Sequence, residues 1–380
     1  MRILVLVHEY PPVGGGGGRV AQDLCRGLAE QGHQLYVLTA HHGDLPLEEN
    51  EAGLYIRRLV SGRRWAFRAD LQAMLGYVLV SFWHGLRVIR HWKPDVIHAH
   101  FAVPAGATAL ALSLLTGVPY ILTAHLGDVP GGVPEKTGKW FRWIFPFTPP
   151  IWKRAKRVIA VSQFTRQLAQ ACYPVSVEVI PNGVDLQVFD PGVIRLQNPP
   201  RIIFAARFMP QKNPLQVVET LSELKELPWQ CEMIGDGPLK DEAEQRIREL
   251  GLQDRIRLHG WVSPDEVLRW YRQSDILFMP SLSEGLPVAG VQALAMGLAL
   301  VVSRIGGWVD CVQEGENGFM VNPQDRAGFA VALRALLSDP QRLLAARHAS
   351  HALAGRFDLK RVIAAYAGIF SDASGKKIKS

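Results

Sequence analysis

Two cations and one carboxylate stand in short polar segments that directly follow apolar runs of this 380-residue sequence. Arg207 and Lys212 lie five residues apart, after the apolar run 202–205. The planar fork of an arginine and the point charge of a lysine together suit a diphosphate. Glu284 follows the apolar run 276–279, and its carboxylate can accept hydrogen bonds from hydroxyl groups. These three side chains are candidates for binding and reacting with a phosphate-linked, hydroxyl-rich molecule.

Glu284 lies just before an apolar stretch that we expect to form a helix beginning at Pro287, a favoured residue for a first helical position. The amino end of such a helix can hold a pyrophosphate. Gly285, Leu286 and Pro287 would then line the same site as Glu284. The alternative is that Glu284 only caps this helix.

A run of five glycines, 14–18, follows the first apolar run, and a helix is predicted to start near Arg19. Because glycine has no Cβ, the backbone N–H groups of Gly15, Gly16 and Gly17 can approach a ligand closely. The helix N-terminus beyond them favours phosphate. We therefore predict a ligand-binding loop, with a flexible loop that binds nothing as the alternative.

Dinucleotide binding is the rival interpretation of the glycine run, and two residues count against it. Arg19 stands where the dinucleotide motif needs its third glycine. The second predicted strand ends in His41 and His42 rather than in the acidic residue that would hold a ribose. A nicotinamide-dependent oxidoreductase is therefore not expected.

Short β-branched runs alternate with longer amphipathic stretches along the whole chain, which is typical of βαβ units and a parallel sheet. A Pro- and Gly-containing segment around 191–200 separates two such series. The predicted fold class is α/β, with two Rossmann-like, doubly wound parallel-sheet domains facing across a cleft that binds the ligand. We expect these domains at 1–192 and 193–355, and a C-terminal helix and tail at 356–380 that packs back onto the first domain.

Composition excludes several classes. The four cysteines are far apart, and no His, Cys or carboxylate cluster has metal-ligand spacing, so neither disulfides nor a metal site nor another cofactor is expected. The apolar run at the N-terminus is too short for a secretory signal, and we expect a cytoplasmic chain that starts at Met1. No nucleic-acid-binding module is apparent, and nucleic acid is not an expected partner.

Two basic and aromatic segments occur in the first half, at 63–68 and 139–157. Residues 1–195 contain 20 Lys and Arg against 14 Asp and Glu, whereas residues 196–380 contain 22 against 21. Basic and aromatic residues together favour the headgroup layer of an anionic membrane. We predict peripheral contact with the inner face of the cell membrane. The alternative is a core helix with a solvated basic face.

The chain resembles the retaining glycosyltransferase family 4, also described as glycosyl transferases group 1. The Arg207 and Lys212 pair and the following blocks carry the resemblance: DVIHAH at 95–100, TAHLGD at 123–128, PNGVD at 181–185, GDGP at 235–238 and SEGLP at 283–287. The resemblance implies the two-domain GT-B fold and covers nearly the whole chain.

The resemblance also implies roles for single residues. Arg207 and Lys212 would stabilise the departing nucleoside diphosphate, Glu284 would bind hydroxyls of the transferred sugar, and His125 would contact the same sugar. Contacts to the nucleotide base are implied near Val262. One departure stands out, because Gln292 occupies the position where the family usually has a second Glu that binds the ribose.

The sequence thus predicts a metal-independent, retaining hexosyltransferase that uses a UDP- or GDP-sugar donor. The acceptor would be lipid-linked or a glycan or glycoconjugate precursor. Two other hypotheses stay open: a GT-B epimerase, and a non-catalytic GT-B protein that binds a nucleotide. In each case the nucleotide sugar or nucleotide is the expected small-molecule partner.

Overall fold

The computed structural model describes residues 1–66, 69–133 and 141–376. Contacts divide the chain into two compact units. Unit 1 comprises the described residues of 1–183 and 359–380, and unit 2 comprises residues 184–358. Of the predicted basic and aromatic segments, residues 67–68 and 139–140 lie outside the described residues.

Unit 1 contains an eight-stranded sheet in which every neighbouring pair is parallel except the β3–β4 pair. The strands are β1 (Arg2–Leu6), β2 (Gln34–Ala40), β3 (Glu48–Glu51), β4 (Leu54–Leu59), β5 (Val96–His100), β6 (Tyr120–Ala124), β7 (Arg157–Ala160) and β8 (Glu178–Val179), in the order β3-β4-β2-β1-β5-β6-β7-β8. Strands β5 and β6 are buried throughout, as expected of parallel strands covered on both faces. The strand order reverses between β1 and β5, and open α/β sheets usually bind ligands at the carboxyl ends of strands beside such a reversal.

Helices cover both faces of this sheet. They are α1 (Gly16–Glu30), α2 (Leu71–Trp92), α3 (Ala107–Thr116), α4 (Phe141–Ile144), α5 (Pro149–Lys153) and α6 (Gln163–Cys172). One hydrophobic cluster packs α2, α3, α5 and α6 against one face, and a second cluster packs α1 against the other. Asp70 starts α2 by accepting a hydrogen bond from the Ala73 N–H at 2.8 Å. No described helix is long and apolar enough to cross a membrane.

Unit 2 contains a six-stranded sheet in which all neighbouring pairs are parallel. Its strands are β9 (Arg201–Ala205), β10 (Gln230–Ile234), β11 (Ile256–His259), β12 (Ile276–Met279), β13 (Ala299–Ser303) and β14 (Gly318–Val321), in the order β11-β10-β9-β12-β13-β14. Its helices are α7 (Pro214–Ser222), α8 (Lys240–Glu249), α9 (Pro264–Arg272), α10 (Val288–Ala295), α11 (Arg326–Leu337) and α12 (Pro340–Ala354). The order reverses between β9 and β12, the two strands that precede Arg207 and Glu284.

The C-terminal helix α13 (Leu359–Ser374) belongs to unit 1, where it packs beside α1. A Cβ atom on Gly27 would lie 2.0 Å from Ile363, so glycine is what lets the two helices approach this closely. Tyr366 reaches the sheet, where its hydroxyl lies 3.2 Å from the Thr123 hydroxyl. The last helix thus completes the face of the unit 1 sheet that α1 covers.

Candidate active site

Arg207 lies in the turn that follows β9, and the Gly235–Pro238 loop holds that turn in place. The Phe208 N–H donates to the Asp236 carbonyl at 2.9 Å. Gly235 and Gly237 both have positive φ, and a Cβ on Gly235 would lie 2.0 Å from the Ala206 carbonyl oxygen. Only glycine fits such an approach, so this block positions the arginine turn through its backbone.

Lys212 and Glu284 form an ion pair at the carboxyl ends of β9 and β12. The Lys212 Nζ lies 2.6 Å from the Glu284 Oε1, and only 6% of the Glu284 side chain is exposed. Gln211 precedes the lysine. Its side-chain amide donates to the Ser283 carbonyl at 2.8 Å, and its backbone carbonyl accepts from the Leu282 N–H at 2.8 Å. These hydrogen bonds therefore join the loop after β9 to the loop after β12 beside the ion pair.

Glu284 does not cap the helix that follows it. Helix α10 begins at Val288 with Pro287 as its N-cap, and no side chain forms a cap hydrogen bond there. The expected helix start at Pro287 is thus one residue early. Because the Glu284 carboxylate bonds Lys212 instead, the capping alternative raised by the sequence is wrong.

Two glycines hold the Glu284 loop from the other side. Gly306 has φ of +50°, and a Cβ on it would lie 1.8 Å from the Glu284 carbonyl oxygen. A Cβ on Gly307 would lie 1.8 Å from the Gly285 carbonyl oxygen, and the Gly307 N–H donates to the Glu284 carbonyl at 3.2 Å. The turn after β13 therefore packs backbone to backbone on the predicted donor loop.

The other predicted site residues of unit 2 lie in the predicted donor loop, in α10 and after β11. Leu286 is 5% exposed beneath the loop, and Gln292 is half-buried in α10. Val262 follows β11 at the sheet edge, two strands away from β9. The neighbouring Trp261 is 69% exposed. The structure thus brings Lys212 and Glu284 together, while Val262 belongs to a separate loop of the same sheet edge.

In unit 1 the glycine run is less loop and more helix than expected. Helix α1 begins at Gly16, not near Arg19, so Gly16 and Gly17 belong to its first turn. The Gly15 N–H is already engaged, because it donates to the Glu9 carboxylate at 3.2 Å. The first-turn N–H groups of α1 have no partner within the helix, and such groups suit an anionic ligand.

Arg63 is part of this scaffold rather than of a membrane surface. Its guanidinium donates to the carbonyls of His8 and Ala66 at 3.0 and 3.1 Å and lies 3.6 Å from the Glu9 carboxylate. Gly14 in turn donates its N–H to the Ala66 carbonyl at 2.8 Å. The segment after β4 thus holds the glycine run in place. The prediction from sequence that this arginine lies on a basic surface is wrong.

His125 follows β6 and meets a histidine that the sequence did not single out as a site residue. Its Nε2 lies 3.0 Å from the Nδ1 of His100, which ends β5. Burial, with the neighbouring imidazoles His98 and His125 adding to it, holds the pKa of His100 well below its usual range. Burial likewise lowers the pKa of His125 to about 3. The sequence signal for the histidine at the end of β5 was the spacing of two histidines at the end of a predicted strand.

Phe101 is a second residue that sequence reasoning missed. It adopts φ of +73°, a conformation that costs a bulky residue energy and that often marks a functional site. Its ring lies 4.5 Å from the His125 ring, and a Cβ on Gly17 would lie 2.5 Å from it. Phe101 therefore brings the start of α1 close to His125 within unit 1.

The described residues contain no group of three or more His, Cys, Asp or Glu side chains that could hold a metal ion. The groups that the structure does place at the strand ends are a lysine–glutamate pair, an arginine turn and neutral imidazoles. Cations can stabilise negative charge on a departing diphosphate, and the carboxylate and imidazole can bond hydroxyls.

Comparisons with known proteins show the family to which this chain is similar. Residues 14–188 match the family model described as Glycosyltransferase Family 4, and residues 199–339 match the model described as Glycosyl transferases group 1. The chain is 27% identical over 393 residues to the glycogen synthase of Mycobacterium tuberculosis, which covers 97% of this chain and 94% of that one.

Two solved structures share the fold. Sucrose-phosphate synthase from Thermosynechococcus elongatus gives a TM-score of 0.85 at 20% identity over 98% of both chains. The Anabaena protein HepE, solved in complex with UDP-glucose, gives a TM-score of 0.78 at 18% identity over 98% of this chain and 100% of that one. The α/β prediction is confirmed, and the fold is that of a GT-B glycosyltransferase.

The matched family models define a sugar-transferring enzyme rather than an oxidoreductase. The chain belongs to glycosyltransferase family 4.

Proposed function

We propose that this chain transfers a hexose from a UDP- or GDP-sugar to an acceptor with retention of the anomeric configuration and without a metal ion. The single observation that carries this proposal is the Lys212–Glu284 ion pair at the strand reversal of unit 2. The complex of the fold relative HepE with UDP-glucose supports a nucleotide-sugar donor.

The two cations act on the leaving group. Breaking the bond between sugar and diphosphate places negative charge on the diphosphate oxygens, and Arg207 and Lys212 stabilise that charge where a metal ion does so in other enzymes. The donor competes with Glu284 for Lys212, because the ammonium already lies 2.6 Å from that carboxylate. Arrival of the diphosphate frees Glu284 to accept hydrogen bonds from sugar hydroxyls.

Retention follows when the acceptor attacks the face that the diphosphate leaves. The departing phosphate then accepts the acceptor's proton, and no enzyme nucleophile forms a bond to the sugar. His125 bonds the transferred sugar, and Gly15, Gly16 and Gly17 approach the phosphates or the acceptor. Val262 supplies backbone contacts to the base.

The remaining donor contacts come from α10 and the loop before it. Gly285, Leu286 and Pro287 lead into the N-terminus of α10, which no side chain caps and which suits the pyrophosphate. Gln292 takes the place of the carboxylate that binds the ribose in the family. An amide gives one donated and one accepted hydrogen bond there, without the charge-assisted pair.

A donor panel tests the chemistry. Protein treated with EDTA is incubated with UDP-, GDP- and ADP-hexoses and candidate acceptors, and nucleoside diphosphate release is measured. We expect release with one donor that depends on the acceptor and needs no added metal, and a product whose anomeric configuration by NMR equals that of the donor. Donor conversion without acceptor would favour the epimerase, and nucleotide binding without turnover would favour the non-catalytic protein. Activity only after Mg²⁺ addition would contradict metal independence.

For the acceptor, we propose an amphiphilic molecule at an anionic membrane surface that unit 1 contacts. Helix α2 presents an apolar stripe to solvent at four-residue spacing, which places its members along one side of the helix. The stripe consists of Leu71, Leu75, Leu79 and Trp83, which are 44%, 58%, 65% and 64% exposed. An exposed apolar face of this kind usually contacts another surface.

Charge decides what that surface is. Helices α2 to α6, on one side of unit 1, contain no Asp or Glu and carry basic residues such as Arg87, Arg90 and Lys153. Helices α1 and α13, on the opposite face, carry acidic as well as basic residues. Trp143, in α4, is 82% exposed. Apolar and aromatic side chains next to cations and without acids match the headgroup layer of anionic lipid.

Vesicle flotation tests the membrane contact independently of turnover. We expect the protein to float with vesicles of phosphatidylglycerol and phosphatidylcholine at low salt, and less so at high salt. Leu79→Glu and Lys153→Glu should each weaken flotation. The matched controls are Val331→Glu, at a residue of unit 2 that is 66% exposed, and Arg361→Glu, on α13 of unit 1. Flotation of all four variants like the unaltered protein, or no flotation at all, would remove the proposal.

A further inference from the structure

Three histidines lie side by side at the carboxyl ends of β5 and β6 in unit 1. His98 and His100 are 1% and 0% exposed, and their ring centroids are 4.1 Å apart. His100 Nδ1 meets His125 Nε2 at 3.0 Å, with the two rings stacked at 25°. His98 Nε2 instead meets the Thr123 hydroxyl at 2.9 Å. The transfer chemistry proposed above uses only His125.

All three imidazoles are neutral at physiological pH. Burial, with the neighbouring His125 imidazole adding to it, lowers the pKa of His98 to about 3, and the pKa values of His100 and His125 are lowered as well. A neutral imidazole carries one N–H and one lone pair. The contact between His100 and His125 therefore contains one proton, and one ring donates while the other accepts.

The second nitrogen of His100 decides which ring donates. His100 Nε2 is buried and has no hydrogen-bond partner among the described residues. A buried N–H without a partner is rarer than an unpaired acceptor, so this nitrogen holds the lone pair. The proton of His100 is then on Nδ1, and His100 donates to His125 Nε2.

The consequence reaches the candidate active site. With Nε2 accepting, the proton of His125 is on Nδ1. That atom faces the first turn of α1, since a Cβ on Gly17 would lie 3.4 Å from it. His125 thus offers a fixed N–H donor beside the glycine run, a group suited to a sugar hydroxyl oxygen.

We propose that His100 is a positioning residue that holds His125 in its Nδ1–H form, so that His125 donates a hydrogen bond to a hydroxyl of the substrate. The tautomer rests on the contacts of the buried imidazoles and on their neutrality, and only the identity of the substrate rests on the proposed function. His100 itself contacts no substrate.

The tautomer is measured directly by long-range ¹H–¹⁵N correlation on histidine-labelled protein without ligand. The His125 signals are identified by their loss in His125→Gln. We expect the pattern of an Nδ1–H imidazole for His125 and the same pattern for His100. An Nε2–H pattern for His125 would overturn the proposal, whether or not the protein transfers sugar.

Two matched variants test the functional consequence. His100→Asn keeps an N–H near the original Nδ1, whereas His100→Leu fills the space without a donor. We expect His100→Leu to lower kcat on the order of 10- to 100-fold with the donor KM little changed, as for other residues that orient an imidazole. His100→Asn should recover most of this loss. Equal loss in both variants would show that His100 only fills space and would contradict its positioning role.

A control separates this test from the proposed function. His98→Asn changes a buried histidine of the same strand that bonds Thr123 and not His125. It should leave the His125 pattern unaltered. If the unaltered protein transfers no sugar to any acceptor, the proposed function fails while the tautomer result still decides the present inference.

Discussion

The two units share an architecture but hold their functional side chains by opposite means. In unit 2, the charged Lys212 and Glu284 are paired, and glycine-packed backbone turns fix the loops that carry them. In unit 1, neutral imidazoles bond one another at the ends of β5 and β6. Charge suits a diphosphate and neutral donors suit hydroxyl groups, so the strand ends of the two units differ in the chemical groups they can bind.

The two units also differ in net charge. Unit 1 contains 24 Lys and Arg against 13 Asp and Glu, a net charge of +11, whereas unit 2 contains 18 against 22, a net charge of −4. Counting by halves of the sequence hides this contrast, because the basic residues after Leu359 belong to unit 1. These opposite net charges favour unit 1 over unit 2 for the proposed contact with an anionic surface.

The largest effect is expected where backbone packing in unit 2 is broken. Gly307→Ala places a Cβ 1.8 Å from the Gly285 carbonyl oxygen, and this contact cannot be relieved by rotating a side chain. We expect a loss of about 3 kcal/mol or more in the free energy of unfolding and a nearly inactive enzyme. Thermal unfolding should show a fall in Tm of roughly 6–12 °C.

The matched control for that change lies in unit 1. Gly368 is in α13, and a Cβ there would meet nothing within 4 Å. Gly368→Ala should leave Tm unchanged or raise it slightly, because alanine is the better helix former. A Tm for Gly307→Ala equal to that of the unaltered chain would mean that the turn after β13 does not hold the Glu284 loop.

Acid should weaken unit 1 before unit 2. The folded pKa of His98 is lowered to about 3 by burial, and that of His100 is lowered too, whereas an unfolded histidine titrates near about 6.5. Below about pH 6.5 the unfolded chain binds protons that the folded unit does not, so each imidazole removes up to about 1.4 kcal/mol of stability per pH unit. Above that pH the contribution is constant.

Hydrogen exchange, corrected for intrinsic rates, distinguishes the units. Between about pH 7 and about pH 5.5 we expect protection of β5 in unit 1 to fall well before protection of β13 in unit 2. Equal losses of protection in the two strands would contradict the expected difference between the buried neutral histidines of unit 1 and the paired charges of unit 2.

The smallest effect is expected at Gln292. Gln292→Glu restores the charge that the family usually has beside the ribose, which is worth on the order of 1 kcal/mol in donor binding. We expect the donor Kd, measured calorimetrically, to fall or stay the same. A large loss of affinity or activity would show that the site is built around the amide.

Much of the fold was readable from the sequence. The alternation of short β-branched runs with amphipathic stretches predicted two parallel α/β sheets, because helices must cover both faces of such sheets. The start of α1 was predicted too late. Glycine has poor helix propensity, and close packing against Phe101 at Gly17 and against the Glu9 backbone at Gly18 overrides that preference.

The candidate site was readable in residue types but not in contacts. Arg207, Lys212 and Glu284 were found from their position after strands, yet the direct Lys212–Glu284 bond depends on two loops 72 residues apart. Arg63 appeared to be a surface cation, and only its bonds to three carbonyls and its contact with one carboxylate reveal a buried role. Likewise, the role of His100 becomes apparent only from the register that places β5 beside β6.

The central claim is that Arg207 and Lys212 stabilise the departing diphosphate without a metal ion. The direct measurement is kcat for sugar transfer in EDTA by Arg207→Ala and Lys212→Ala, with Arg272→Ala, at an exposed cation of unit 2, as control. We predict a loss of at least about 100-fold for each of the first two variants and none for the control. Transfer at the unaltered rate by both cation variants would contradict the claim.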